Sequence, residues 1–325
     1  MPKAIRIHET GGPEVLRWED IEIAAPGPDE VRLSQKAVGV NYIDVYHRTG
    51  LYPLPTLPAI PGMEGAGEVI AVGVNVSEFQ PGDRVAYAGV PAGAYATERL
   101  MPAHRLVKLP EQISDRQAAA MMLQGLTVQY MLRRTYKVQS GDAILIHAAA
   151  GGVGLIACQW AKALGATVIG TVGSAEKAML AQSHGCDHTV LYHEEDFVER
   201  AKSLTGGEGV AVVYDSVGKD TFMKSLDCLR PMGMMVYYGQ SSGPAPTIDP
   251  ALLGKKGSLF LTRPSVMTYT EKRTDLLAGA AELFDVVLSG AVKIEINQTY
   301  PLQEAAQAHR DLESRRTTGS TVLLP

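Results

Sequence analysis

Apolar and polar residues alternate in part along Ala4–His8, Glu14–Glu22 and Glu30–Val40. Gly11-Gly12-Pro13 and Pro26-Gly27-Pro28 punctuate these runs, so short half-buried strands joined by tight turns are expected. A Pro-rich loop, Tyr52 to Gly62, leads to further runs at Gly65–Val72 and Arg84–Ala88, joined through the turn Gln80-Pro81-Gly82-Asp83. This half reads as a small, curled β domain. The pattern changes at Ser114-Asp115, which precede a helix-rich stretch, Arg116–Tyr136, with a break expected at Gly125. From Asp142 onward β-rich runs (Ala143–His147, Thr167–Val172, His188–Tyr192, Val210–Asp215, Met234–Tyr238, Ser258–Thr262) alternate with amphipathic segments such as Val153–Leu164, closed by Gly165. Strand-helix alternation with short connections predicts a parallel, doubly wound sheet. A helix over Glu271–Ser289, a run at Lys293–Asn297 and a helix near Leu302–Arg316 follow. The fold class is therefore α/β. A mainly β domain is expected over 1–125, a Rossmann-type domain over 126–263, and a return segment completing the first domain over 264–325.

Composition agrees with two domains, since 325 residues at ~150 per domain give about two. With 46% apolar and 20% charged residues the chain has material for real cores, which excludes a disordered polymer. The formal net charge of -5 supplies no summed positive field for nucleic acid or an anionic membrane. The longest apolar stretch, Ala143–Cys158, is interrupted by His147, Gly151, Gly152 and Gly154 and falls short of the ~20 residues of a spanning helix. The start of the chain lacks the apolar core and cleavage site of a signal peptide. Cys158, Cys186 and Cys228 are too widely spaced for a disulfide framework. A cytoplasmic location is expected.

The strongest local signal is Ile144 to Ala157, a strand, a Gly-rich turn and a helix start in immediate succession. Aligned as G-x-G-x-x-G, Ala149 takes the first glycine position and Gly151 and Gly154 the others. The middle glycine lets backbone approach a pyrophosphate, the last lets the helix pack against the strand, and the helix N-terminus faces the phosphates. A site for NAD usually offers an acid ~20 residues on. Here the second strand runs into Gly173-Ser174-Ala175-Glu176-Lys177, with no acid at the strand tip but a hydroxyl and a lysine suited to a 2′-phosphate. Ser174 can equally cap the next helix with Lys177 solvated, and an inward Glu176 would oppose the phosphate. NADPH is the favoured cofactor.

With these pieces in place the chain resembles the medium-chain dehydrogenase/reductases, and within them the bacterial NADPH:quinone oxidoreductases related to ζ-crystallin. The likeness runs over essentially the full length. It is carried by Gly39-Val40-Asn41-Tyr42-Ile43-Asp44, Arg48-Thr49-Gly50-Leu51-Tyr52-Pro53, His147–Gly154 with Cys158–Gly165, Val213–Gly218 and Thr262-Arg263-Pro264. The resemblance implies a GroES-like fold for the first, catalytic domain. It implies that Gly152, Val153, Gly173, Ser174, Lys177, Tyr192, Ser216, Tyr238, Gly239 and Arg263 line NADPH, with Arg315 reaching the 2′-phosphate from the C-terminal segment. Asn41, Tyr46, Tyr52 and Gln124 would surround the nicotinamide and the quinone. Gln124 departs from the lysine expected there in close relatives. A homodimer joined through the cofactor domains is implied as well, with Ser258–Thr262 as an apolar strand at a sheet edge open to pairing.

Alcohol dehydrogenases share this fold and hold zinc through Cys, His and Glu of the first domain. This first domain has no cysteine, Asn41 stands at the ligand Cys position, and Met63 precedes Glu64 where a ligand histidine belongs. No metal is expected. Other letter patterns have plainer readings. His184-Gly185-Cys186-Asp187-His188 lies at a turn without further ligand spacing. Gly239-Gln240-Ser241-Ser242-Gly243 fits a nucleophile elbow but runs into Pro244 and Pro246 rather than a helix, although Asp249 and His309 follow in hydrolase order. Tyr42, Tyr46 and Tyr52, outside any regular period, are read as ligand-facing rather than as packing residues. The expectation is a zinc-free reductase passing hydride from NADPH to a quinone. A reductase of alkenals or enones is the enzymatic alternative. Single-stranded nucleic-acid binding, associated with some ζ-crystallin relatives, is disfavoured by the acidic balance and the lack of a basic-aromatic stripe.

Overall fold

The computed structural model describes residues 1–325, which divide into two compact units, 1–126 with 270–288 and 294–325, and 127–269 with 289–293. The first unit begins with a two-stranded pair, β1 (Lys3–Arg6) and β2 (Arg17–Asp20). Pro13 opens a 3₁₀ turn at Pro13–Val15, which shortens the strand expected over Glu14–Glu22. β3 (Glu30–Val40) is the long central strand, its buried Val31, Leu33 and Gln35 alternating with half-buried neighbours. It runs into α1 (Tyr42–Thr49), ended by Gly50 at φ 79. β4 (Glu64–Val72), β5 (Arg84–Ala88), β6 (Glu98–Pro102) and β7 (Val107–Lys108) follow, then α2 (Asp115–Ala119) and α3 (Met122–Tyr130). The expected break at Gly125 is not there. The interruption falls at Ala120–Met121, and Gly125 lies inside α3 because a Cβ would stand 2.5 Å from a methyl of Leu283.

The second unit alternates strand and helix: β8 (Ala143–Ile146), α4 (Gly152–Ala163), β9 (Thr167–Val172), α5 (Ala175–Ser183), β10 (His188–Leu191), α6 (Phe197–Leu204), β11 (Val210–Asp215), α7 (Phe222–Asp227), β12 (Leu229–Tyr237), α8 (Ala251–Lys255), β13 (Phe260–Thr262) and α9 (Val266–Tyr269). The six strands are all parallel in the order β10-β9-β8-β11-β12-β13, the doubly wound arrangement. β11, buried on both faces along its whole length, reads as a continuous apolar run for that reason. Residues 264–269 stay with this unit, Tyr269 stacking on Tyr130 at 4.4 Å between ring centroids.

The return to the first unit brings α10 (Arg273–Leu288), β14 (Ile296–Pro301), α11 (Ala305–Glu313) and β15 (Ser320–Leu324). β15 pairs antiparallel with β3, which adds the last five-residue strand and β14 to a seven-stranded sheet running β14-β15-β3-β4-β5-β7, with β6 also on β3. The chain end thus closes the sheet from which α1 departs. No helix is long and apolar enough to cross a membrane.

Candidate active site

In the second unit, the residues expected at a cofactor follow directly on the C-terminal ends of the parallel strands. β8 ends at Ile146 and a turn leads to Gly151, the N-cap of α4, which has no side-chain cap, so the N–H groups of Gly152 and Val153 head an uncapped helix. A Cβ on Gly154 would stand 2.3 Å from the Ala148 carbonyl oxygen, so only glycine lets α4 start this close to the turn. Past β9, a Cβ on Gly173 would stand 2.9 Å from the hydroxyl of Tyr192, the residue after β10. Ser174 caps α5, its hydroxyl oxygen accepting from the Lys177 N–H at 3.4 Å. Glu176 is fully exposed, its carboxyl held below the ordinary range by a hydrogen bond with the Ser174 hydroxyl. Ser216 follows β11, and Tyr238 and Gly239 follow β12, both taking their N–H to the Asp215 carbonyl. Tyr238 bonds to the Ser216 side chain, and a Cβ on Gly239 would lie 2.8 Å from the Ser216 carbonyl. Arg263, directly after β13, lies 4.2 Å over the Tyr237 ring and donates to Gln240 Oε1 at 3.1 Å. The carboxyl ends of the strands are where this sheet type binds ligands.

The first unit gathers a second group around Asn41, which links β3 to α1. The Asn41 Nδ2 donates to Glu64 Oε2 at 2.6 Å, and Gln124 Nε2 donates to Asn41 Oδ1 at 3.3 Å. The Leu123 N–H reaches the other oxygen of Glu64 at 2.7 Å, and the Ser320 hydroxyl lies 2.8 Å from Gln124 Oε1. Asp44 Oδ2 accepts from the Asn41 N–H at 2.9 Å and from the Tyr95 hydroxyl at 3.1 Å. Burial pushes Asp44 up to about 7 and Glu64 up to about 8. Behind Tyr95, His309 Nε2 lies 2.9 Å from its hydroxyl, Arg48 meets His309 Nδ1 at 3.2 Å, and Arg48 grips Glu313 with two 2.8 Å bonds. Burial and the neighbouring Arg48 charge push His309 down to about 3, so it stays neutral.

Tyr46 lies on α1 and is only 8% exposed, with Tyr42 at 5.4 Å and Tyr52 at 5.0 Å between ring centroids. Tyr42 and Tyr46 are one helical turn apart on α1, and Tyr46 is tilted against Tyr42 and edge-on to Tyr52, which lies past the helix. Arg315, just past α11 at φ 58, belongs to this unit and contributes with Arg48 and Glu313 to the electrostatic surroundings of the Tyr42 hydroxyl.

These features have close counterparts. A model of the alcohol dehydrogenase GroES-like domain matches residues 27–111, and one described as zinc-binding dehydrogenase matches 152–279. A Pseudomonas aeruginosa protein named quinone oxidoreductase is 54% identical, covering all of both chains. The chain belongs to the quinone oxidoreductase family of medium-chain dehydrogenase/reductases. A crystal structure of the Escherichia coli quinone oxidoreductase complexed with NADPH superposes with a TM-score of 0.98 at 49% identity, covering 99% of this chain and 100% of that one. A 2-haloacrylate reductase from a Burkholderia species is 48% identical over 100% of this chain and 99% of its own length.

Zinc, which one of the matching models carries in its name, does not fit the residues present here. The ligand positions hold an amide, Asn41, and a buried thioether, Met63, while both oxygens of Glu64 are taken by Asn41 and Leu123. No group of three or more His, Cys, Asp or Glu side chains is arranged to hold a metal ion. The His184–His188 letters disperse likewise: His184 Nδ1 meets the Leu180 carbonyl, Asp187 meets Lys162, and the Cys186 thiol faces the His188 carbonyl. Asp249 Oδ1 accepts from the Ala251 N–H at 2.8 Å, and His309 is held by Tyr95 and Arg48.

Sequence reasoning treated Glu64 only as a remnant of a metal motif, and passed over Asp44, Arg48 and Tyr95 as a group. Their signal was charge and hydroxyl at positions that the fold buries, in segments far apart in the chain.

Proposed function

We propose that this protein is an NADPH-dependent quinone reductase that works without a metal. One observation carries the reading: a dinucleotide cradle on the strand ends lies in a chain 54% identical, end to end, to a quinone oxidoreductase. The N–H groups of Gly152 and Val153 bind the pyrophosphate. Ser174, Lys177 and Tyr192 hold the 2′-phosphate at an acid-free strand tip, and Gly173 leaves room for it. Ser216, Tyr238, Gly239 and Arg263 complete the cradle. Bound there, NADPH supplies a hydride from C4 of its nicotinamide. Asn41, Tyr46, Tyr52 and Gln124 orient a flat quinone and exclude water. Hydride addition leaves an aromatic hydroquinone anion, so no strong general acid is needed and water or a tyrosine completes the proton count. The amide–carboxyl bond between Asn41 and Glu64 holds the Asn41 side chain in one pose for this task.

The 2-haloacrylate reductase relative favours a second reading, hydride addition to a conjugated C=C bond in the same geometry. The cytoplasm suits such an enzyme, whose Cys158, Cys186 and Cys228 are all free thiols. Two copies pair through β13, an edge strand whose Phe260 is 57% exposed, which light scattering at micromolar protein tests.

NADPH oxidation across a panel of quinones and α,β-unsaturated carbonyls, repeated with NADH, tests the reading. Quinones with NADPH should turn over fastest. Faster turnover of the unsaturated carbonyls would transfer the assignment to the second reading.

A further inference from the structure

Beneath the Gly-rich turn, His147 joins three neighbouring strand ends through its side chain. Its Nδ1 lies 2.8 Å from the Thr171 hydroxyl near the end of β9, and its Nε2 lies 2.9 Å from the Ser225 hydroxyl of α7. The Ser225 hydroxyl in turn donates to Asp215 Oδ2 at 2.8 Å, at the end of β11. We propose that His147 is the positioning residue of the cofactor cradle, a fixed neutral bridge that holds the pyrophosphate turn in register with the strand ends on either side. The proposal rests on the reading of this unit as an NADPH site.

The direction of the chain follows from counting donors. Asp215 accepts from four groups: the Val217 and Gly218 N–H at 2.8 and 3.0 Å, Thr221 Oγ1 at 2.7 Å and Ser225 Oγ at 2.8 Å. The Ser225 proton is committed to Asp215, so the Ser225 oxygen is the acceptor toward His147. His147 therefore carries its proton on Nε2, and its bare Nδ1 accepts from the Thr171 hydroxyl. All four side chains are at most 2% exposed, and burial pushes the His147 pKa down, consistent with a neutral ring.

What this bridge secures is a strained turn. Ala148 has φ 53, a left-handed conformation that a non-glycine residue keeps only when its surroundings over-determine it. Backbone bonds clamp it on both sides, the His147 N–H to the Tyr214 carbonyl of β11 and the Ala149 N–H to the Thr171 carbonyl of β9, each at 3.1 Å. The side chain of His147 meets β9 directly at Thr171 and reaches β11 through Ser225. Losing it frees the strand ends to shift relative to each other, and the N–H groups of Gly152 and Val153 lose their aim. Because the pyrophosphate is common to both nicotinamide cofactors, the effect is not specific to the 2′-phosphate.

The test measures NADPH and NADH dissociation constants for wild type, Thr171→Val, His147→Phe and the double variant, with the thermal midpoint of each and the ¹⁵N spectrum of His147 in wild type. Thr171→Val, of unchanged shape, should weaken both cofactors about fivefold, the loss of one ordinary hydrogen bond. His147→Phe should weaken both by roughly tenfold or more, and adding Thr171→Val to it should cost nothing further, since the two act through one bond. kcat at saturating NADPH should change by less than about twofold, since the cradle is restored by mass action. The spectrum should show protonated Nε2 and bare Nδ1. Unchanged affinity in folded variants with lowered midpoints, additive losses, or a protonated Nδ1 would each overturn the role of His147. If His147→Phe does not fold, Thr171→Val and the tautomer decide alone. Wild type that binds no NADPH would instead overturn the functional reading beneath the proposal.

Discussion

Asn41 and Glu64 are joined by a 2.6 Å hydrogen bond from the amide nitrogen to the carboxyl oxygen, within the buried interior of the first unit. The other Glu64 oxygen takes the Leu123 N–H, so one carboxyl fixes both the Asn41 side chain and the start of the helix that carries Gln124. Glu64→Gln keeps the shape but replaces one acceptor by a donor, leaving a buried N–H facing another. Such a mismatch costs about 1–3 kcal/mol. The variant should melt lower and show a raised KM for quinone, with NADPH affinity little changed. Calorimetry and steady-state kinetics check this, and an unaltered KM would deny the Asn41 pose any part in binding quinone.

Asp44 and Glu64 also give stability a pH dependence of defined sign. Burial raises their pKa values from 3.8 to about 7 and from 4.5 to about 8. Between the unfolded and folded values the native state binds more protons than the unfolded one, so stability falls as pH rises. The decline should run from roughly pH 4 to pH 8 and level off above it. Urea midpoints across that range, for wild type and for the pair Asp44→Asn with Glu64→Gln, check it. The double variant should lose most of the slope.

Much of this architecture was legible along the chain, for reasons specific to each part. The parallel unit announces itself because strands buried on both faces, such as β11, form unbroken apolar runs between helices. The Gly-rich turn is equally plain, since Gly154 is demanded by contact with the Ala148 carbonyl. α1 escaped because Asp44 and Arg48, both buried, break the apolar stripe that signals a helix. Gly125 misled because a glycine in a helix reads as a break, whereas here it makes room for Leu283. The Asn41–Glu64–Gln124 group and the line from Asp44 through Tyr95 to His309 join residues 23 to 214 positions apart in the chain, a distance no local pattern reports.

Tyr52 should act through its ring more than its hydroxyl. It packs edge-on against the buried Tyr46, a contact that phenylalanine preserves and alanine removes. Tyr52→Phe should keep turnover within about threefold of wild type, whereas Tyr52→Ala should lose tenfold or more. General acid–base catalysis contributes roughly a hundredfold or more where it operates. A loss of that size in the Phe variant, with NADPH affinity intact, would make Tyr52 the proton donor.

Lys177 should carry a large part of the preference for NADPH over NADH. The carboxylate that would favour ribose hydroxyls, Glu176, is exposed and bound to the Ser174 hydroxyl. A charge-assisted hydrogen bond is worth ~1.5–3 kcal/mol, so Lys177→Ala should weaken NADPH by roughly ten- to a hundredfold and leave NADH almost unchanged. Titration of both cofactors into both proteins decides it. Equal losses would reduce Lys177 to a structural role.

The central claim, direct hydride transfer from NADPH to a quinone without a metal, is tested most directly by a single turnover. Enzyme exhaustively treated with a chelator and loaded with one equivalent of NADPH is mixed anaerobically with a quinone, and nicotinamide oxidation and hydroquinone formation are followed together. One hydroquinone should form per NADPH oxidised, at the rate of untreated enzyme, and deuterium at the transferred C4 position should slow it. Loss of the reaction on chelation with recovery on added zinc, or a bound NADPH that no quinone oxidises, would contradict the account.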